Sequence, residues 1–425
     1  MTSTQNWSSV PGPEDITRRE TGNGIVVLSR ENFNSPSVVF NGYLNAGSLF
    51  DPDDRLGLAL FTAQALMRGT AHHTQQQIYE KLESMGASVG FGAGTHTITF
   101  GGRALAEDFP AILDTLAEVM QSPLFPVQEV ERLRAQMLTS LALREQDTEQ
   151  RAGMAFEEIL YAGHPYARPE DGRTETVQAI QTADLAEFHR RYYGPQGMVI
   201  AVVGALDRRS VADMVEERFG SWRNAPEAKQ PVLPDPTPLN AEVRKHIPLK
   251  EKFQTDVLMG TLGPTRTSPD YLPAHLGNHI LGQFGMMGRI GESVREKAGL
   301  AYNASSSLNS GLFSGTWEIS AGVAPGNVEQ AVELIKQEIA RFTAEPVTPD
   351  EMDDSKSNLI GQVPLWLESN NGVASALVRL ERFKLGFDYY HRFPDRLRAV
   401  TIEEVLDTAR RYLHAERLAV VSSGQ

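Results

Sequence analysis

The chain has no cysteine in its 425 residues. Disulfides, thiolate metal sites and cysteine nucleophiles are excluded together. Long apolar runs are missing as well. No segment approaches the roughly 18 consecutive apolar residues of a membrane span, so no membrane partner is expected. The first residues, MTSTQNWSSVPGPED, are polar and carry no apolar signal-peptide core, which points to a cytoplasmic location. Positive charge is scarce. Lys and Arg number 40 against 54 Asp and Glu, a net charge of −14. No basic run is present to meet phosphate, so nucleic acid is not an expected partner. What remains, 41% hydrophobic and 22% charged residues, is ordinary for a globular chain, and the length calls for two or more domains.

Proline is concentrated in one place. Residues 223–240 read RNAPEAKQPVLPDPTPLN, and Pro226, Pro231, Pro234, Pro236 and Pro238 exclude regular helix or sheet there. This linker divides the chain into an N-terminal domain, 1–222, and a C-terminal domain, 241–425. The two follow the same order of elements. A strand at 37–48 leads into a helix at 56–67, and a strand at 254–263 leads into a helix at 271–282. Shorter helices ending in glycine follow at 77–86 and 290–299. Two strands come next in each half, over 87–103 and 300–323, with period-two alternation. Amphipathic helices at 107–121 and 327–342 precede Pro126-Val127 and Pro346-Val347, each opening another long helix. Both halves close on apolar strands, 198–204 and 418–423. The order implies an internal duplication and an α+β fold: two homologous domains, each a mainly antiparallel sheet backed by helices.

The stretch AHLGNHI (274–280) sets His275 and His279 four residues apart on a helix, a spacing that can hold zinc. The duplication gives it a counterpart. ALFTAQALM (59–67) laid on AHLGNHILG (274–282) matches Leu60 with His275, Ala63 with Asn278 and Gln64 with His279. At this point the sequence resembles the pitrilysin/insulinase/mitochondrial processing peptidase family of inverted-motif zinc peptidases. Catalytic chains of that family carry H-x-x-E-H on the first-half helix, typically as GLAHFLEHMLFKGT. This chain reads GLALFTAQALMRGT (57–70). Gly57, Leu58, Ala59, Phe61, Gly69 and Thr70 keep the frame. Leu60 and Gln64 stand in place of the two histidines and Ala63 in place of the glutamate base. The third ligand of the family, a glutamate, falls near Thr139 and Ser140. YAGHPYARP (161–169), FHRRYYGPQGMVIAVVGALD (188–207) and REKAGLAYNASSS (295–307) extend the resemblance along nearly the whole chain.

Zinc hydrolysis needs three protein ligands, a water and a base. Leu60 and Ala63 can supply neither ligand nor base, and Gln64 is a weak neutral donor. No catalytic residue and no metal are therefore expected in this chain. In the second half, Asn278 stands where a base would be needed and no third carboxylate matches, so His275 and His279 read as packed or solvated histidines rather than metal ligands. His72-His73 diverge on any regular element.

The resemblance implies a substrate-handling pair at Arg295 and Tyr302 in REKAGLAY. The tyrosine hydroxyl would donate toward a scissile carbonyl, and the arginine would hold substrate backbone. The plainer alternatives are a helix-end arginine favoured by the dipole and a tyrosine packed at a strand start. The resemblance also gives the glycine-rich GQFGMMGR segment (282–289), with Gly282, Gly285 and Gly288, a role in substrate handling; an ordinary interhelix turn is the alternative. The reading that follows is a noncatalytic clamshell half. It would form a heterodimer with a family member that holds zinc on its own H-x-x-E-H helix, and its substrates would be peptides. The rival reading is a structural or peptide-binding protein without any proteolytic role.

Overall fold

Alternating apolar residues build two sheets in this computed structural model, which describes residues 10–224 and 231–425. The strands β1 (Thr17–Glu20), β2 (Val26–Glu31), β3 (Ser37–Leu44), β4 (Ser88–Ala93), β5 (Ile98–Leu105) and β6 (Val199–Gly204) form the first sheet, in the order β1-β2-β6-β3-β5-β4. Its pairs are antiparallel except β2–β6. The second sheet runs β7 (Val243–Pro248), β11 (Ala419–Gly424), β8 (Thr255–Gly263), β10 (Gly315–Val323), β9 (Ala301–Ser310). Here too one pair, β7–β11, is parallel. With β1 set aside, β2-β6-β3-β5-β4 and β7-β11-β8-β10-β9 agree strand for strand. The α+β plan of two helix-backed, mainly antiparallel sheets is thus observed, and the duplication with it.

The chain forms two compact units. One comprises the residues up to Leu141, Arg168–Val232 and Val363–His391; the other comprises Ala142–Ala167, Leu233–Gln362 and Arg392–Gln425. In the first unit the helix Asn370–Arg382 packs on β3 and β6. The central strand β6, VIAVVG, is buried along its whole length, which is why it reads as an apolar run rather than an alternation. In the second unit the helix Thr148–Leu160 packs on β8 and β11 through Ala152, Ala155 and Phe156. Part of the proline linker, residues 225–230 with Pro226, lies outside the described residues. Among the described residues, no helix is long and apolar enough to cross a membrane.

The helix Leu58–Ala65 carries the degenerate motif, and a buried carboxylate fixes its start. Asp51 accepts the N–H groups of Gly57 and Ala59, each at 2.9 Å. Gly57 takes φ +91°, where glycine avoids the Cβ clash of other residues. Burial raises the Asp51 carboxyl to about 7, against the opposing pull of those N–H groups and of Arg168. A carboxyl raised on folding holds a proton that the unfolded chain has released. Its contribution is therefore largest below about 4 and is lost as pH rises through 7. Asp51→Asn keeps an acceptor for the helix and cannot titrate. Thermal melts at pH 5 and pH 8 should show a downward slope for the natural chain that the variant lacks; equal slopes would contradict the assignment.

Candidate functional site

Leu60, Ala63 and Gln64 share one face of the helix Leu58–Ala65, as positions three and four apart must. They line a cavity of about 380 Å³ in the first unit. The long helix Val127–Arg144 lines it with Leu133, Gln136, Met137, Ser140 and Leu141, again one helical face. Val89, Gly90 and Phe91 of β4, the edge of the first sheet, close a third side. Of the two residues at the expected third-ligand position, Ser140 reaches the cavity. Thr139 does not line it, and its hydroxyl donates to the Ala135 carbonyl at 2.9 Å.

This donor set does not fit zinc. Leu60 and Ala63 have no lone pair to give, Gln64, Gln136 and Ser140 offer only neutral oxygens, and Asp171 is a single carboxylate in a lining without imidazole. No reaction step is assigned to a metal here.

The sequence reading missed Arg68 and Gln136. Arg68 ends the short turn after the helix and lines the same cavity. Its Nη2 donates to Gln136 Oε1 at 2.9 Å. Its Nη1 donates to the side-chain oxygen of Gln75 at 2.9 Å, in the amide orientation that lets the Gln75 nitrogen donate to Glu129. The signal for Gln136 was present in its spacing of four from Ser140. Arg68 lies inside GLALFTAQALMRGT, where the motif assigns it no role.

In the second unit, the helix Tyr271–Gly282 has the boundaries the sequence implies. His275 stacks on Tyr271, with ring centroids 5.6 Å apart and planes 8° apart. Burial, helped by nearby His279 and Arg266, pushes its imidazole down to about 4. His279 Nε2 lies 3.1 Å from Asn358 Oδ1, an oxygen that also accepts from Gln362, so Nε2 carries the proton. Its Nδ1 is buried without a hydrogen-bond partner, and burial lowers its pKa. Asn278 is built into the fold: its Oδ1 accepts from Ser306 at 2.6 Å, and Ser306 accepts from the Trp317 indole at 3.1 Å. Among the described residues, no three His, Cys, Asp or Glu side chains gather as a metal site.

Arg295 and Tyr302 come together. Arg295 lies in a π-helical turn, Gly291–Lys297, a rare conformation often found at functional positions. The Gly299 N–H closes the turn on the Arg295 carbonyl at 3.0 Å. In the β9–β10 ladder Asn303 pairs with Gly322 and Ala301 with Val323, so Tyr302 is the extra residue of a β-bulge. Tyr302 is 85% exposed, and the Arg295 guanidinium sits 5.7 Å from its ring centroid.

Gly282 and Gly288 are close-packing positions. A Cβ on Gly282 would lie 2.2 Å from the Ser306 nitrogen, and one on Gly288 would lie 2.5 Å from the Ile280 carbonyl oxygen. Gly288 also has φ +62°. Gly285 has open space around its Cβ position. The segment runs as a helix over Phe284–Ile290, with glycines at its corners.

Comparisons with known proteins agree with the fold. A family model described as insulinase, peptidase family M16, matches residues 26–170, and one described as the peptidase M16 inactive domain matches residues 179–359. An uncharacterized zinc protease of Mycobacterium leprae is 28% identical over 383 residues, 89% of this chain and 85% of that protein. An uncharacterized zinc protease of Bacillus subtilis is 24% identical, covering 96% and 98%. Among solved structures, the peptidase M16 inactive domain from Pseudomonas fluorescens superposes with a TM-score of 0.89 at 28% identity, covering 96% of this chain and 98% of that one. A protease from Helicobacter pylori gives the same TM-score at 17% identity, a likeness of fold alone.

Proposed function

The chain belongs to the insulinase (M16) peptidase family, and from that premise we propose that it is a noncatalytic, substrate-binding subunit. Its partner would be a second family member carrying H-x-x-E-H and the zinc. The substrates would be peptides, and the assembly would be cytoplasmic. The observation that carries the reading is the Arg295–Tyr302 pair. A tyrosine 85% exposed gains little from burial, yet a bulge holds it beside a guanidinium. Those are the groups that hold a peptide: the phenol donates to a carbonyl oxygen, and the guanidinium donates to backbone carbonyls on either side. The degenerate cavity supports the division of labour, since Leu60 and Ala63 cannot ligate a metal and Gln64 is a weak neutral donor.

The test is hydrolysis of a fluorogenic peptide by a purified family member with an intact H-x-x-E-H motif, with and without this chain. The mixture should cleave faster than either protein alone. Tyr302→Phe should lower kcat of the mixture about tenfold or more, and Arg295→Ala should act mainly on KM. A mixture no faster than the partner alone would defeat the proposal.

A further inference from the structure

The cavity lined by Leu60, Ala63 and Gln64 contains a cation. Arg68 lines it, and the described residues give this guanidinium two amide oxygens, those of Gln75 and Gln136, and no carboxylate. Its Nε is buried with no hydrogen-bond partner. Glu129, an acid reached through Gln75, is also paired with Arg132 at 2.6 Å. Asp171, the acid of the cavity lining, has an interaction of its own. A guanidinium that hydrogen-bonds only amide oxygens among the described residues, at the mouth of an apolar cavity, is a suitable group for an anionic ligand. The rest of the lining says what kind. Leu60, Met67, Leu133, Met137 and Leu141 make an apolar wall, and about 380 Å³ has room for one large side chain and a small polar group.

We infer that this cavity binds the C-terminal residue of a peptide, its apolar side chain against Leu60, Met67 and Leu141 and its free α-carboxylate on Arg68. The inference rests on the peptide-binding reading above and adds which end of the peptide is recognised. Gln64, Gln136 and Ser140 are within the same lining to take the remaining carboxylate lone pair or the last amide. Gly90 contributes bare main chain on the outer edge of β4, with open space where a side chain would be, so an extended peptide can approach the cavity closely there.

The experiment uses the full chain and a fluorescein-labelled hexapeptide ending in leucine, as the free acid and as the C-terminal amide, with binding read by fluorescence anisotropy at neutral pH. The acid should bind about tenfold or more tightly than the amide. Arg68→Gln should erase that preference. Ser140→Phe, at an exposed position on the rim, should fill the cavity and weaken both peptides. Melting temperatures of both variants near the natural value ensure that folding is not the cause. Equal binding of acid and amide would overturn the carboxylate assignment and leave peptide binding standing. Binding of neither would remove both. A preference that survives Arg68→Gln would also overturn the inference. So would decanoate competing as well as the unlabelled peptide acid, since it would make the ligand a simple amphiphile.

Discussion

A chain carrying Leu60→His, Gln64→His and Ser140→Glu should retain about one zinc after equilibration and desalting, where the natural chain retains close to none. Two imidazoles four residues apart on one helix face, with a carboxylate from the facing helix, complete a three-ligand set around one cavity. The natural side chains at those positions are an aliphatic group, an amide and a hydroxyl. The gain should be large, because structural zinc sites in small peptides are worth about 10–16 kcal/mol. Arg68 opposes it. A fixed cation on the same cavity repels the metal, so adding Arg68→Gln to the triple variant should tighten zinc further. Elemental analysis reads each case. Zinc near one per chain in the natural protein would instead point to His275 and His279, and its loss in His279→Ala would prove that source. Failure of the triple variant to take up zinc would mean that the cavity has changed shape as well as side chains.

The duplication, the helix Tyr271–Gly282 and the chain order of β3 to β6 and β8 to β11 were legible because each rests on local periodicity repeated twice; β1, β2 and β7, and the order of strands within each sheet, were not. The helix Asn370–Arg382 shows where local reading ends. Its apolar face is visible in sequence, but nothing nearby says that it covers β3 and β6, strands more than 300 residues earlier in one case. The same is true of Thr148–Leu160 against β11. At the site, Leu60, Ala63 and Gln64 were readable because the helix fixes their common face. Tyr302 was placed at a strand start; the bulge that exposes it depends on its pairing with β10, which sequence does not give. Arg68 was missed because its meaning depends on its neighbours: among the described residues it hydrogen-bonds the amides of Gln136 and Gln75, and that is visible only in three dimensions.

The same contrast governs GQFGMMGR, where the glycines drew the eye and the arginine does the anchoring. Arg289 is about one-tenth exposed and grips Glu351 with two hydrogen bonds, 2.6 and 2.7 Å. Its Nη1 is 4.0 Å from buried Glu338, and its guanidinium lies 5.4 Å from the Phe342 ring centroid. Glu351 also caps the helix Pro349–Trp366: it accepts the Thr348 N–H at 2.8 Å, while the Thr348 hydroxyl accepts the Glu351 N–H at 3.2 Å. Burial alone would raise the Glu351 carboxyl; Arg289 and Thr348 outweigh it and hold it down at about 2. A carboxyl lowered on folding stabilises above its unfolded value near 4.5, and that stability is lost as pH falls toward 2. Arg289→Met should therefore cost about 2–3 kcal/mol at pH 7, somewhat below a fully enclosed pair because Glu351 keeps some contact with water. The loss has two sources: an unpaired Glu351 and a Glu338 left with Arg341 alone. At pH 3 the natural chain has already lost part of the Glu351 contribution, so the gap between it and the variant should narrow. Urea midpoints at the two pH values measure this. Arg289→Met combined with Glu351→Gln should recover part of the loss at pH 7, since removing both charges leaves none stranded. An equal gap at both pH values would show that Arg289 acts by packing on Phe342 rather than through its charge.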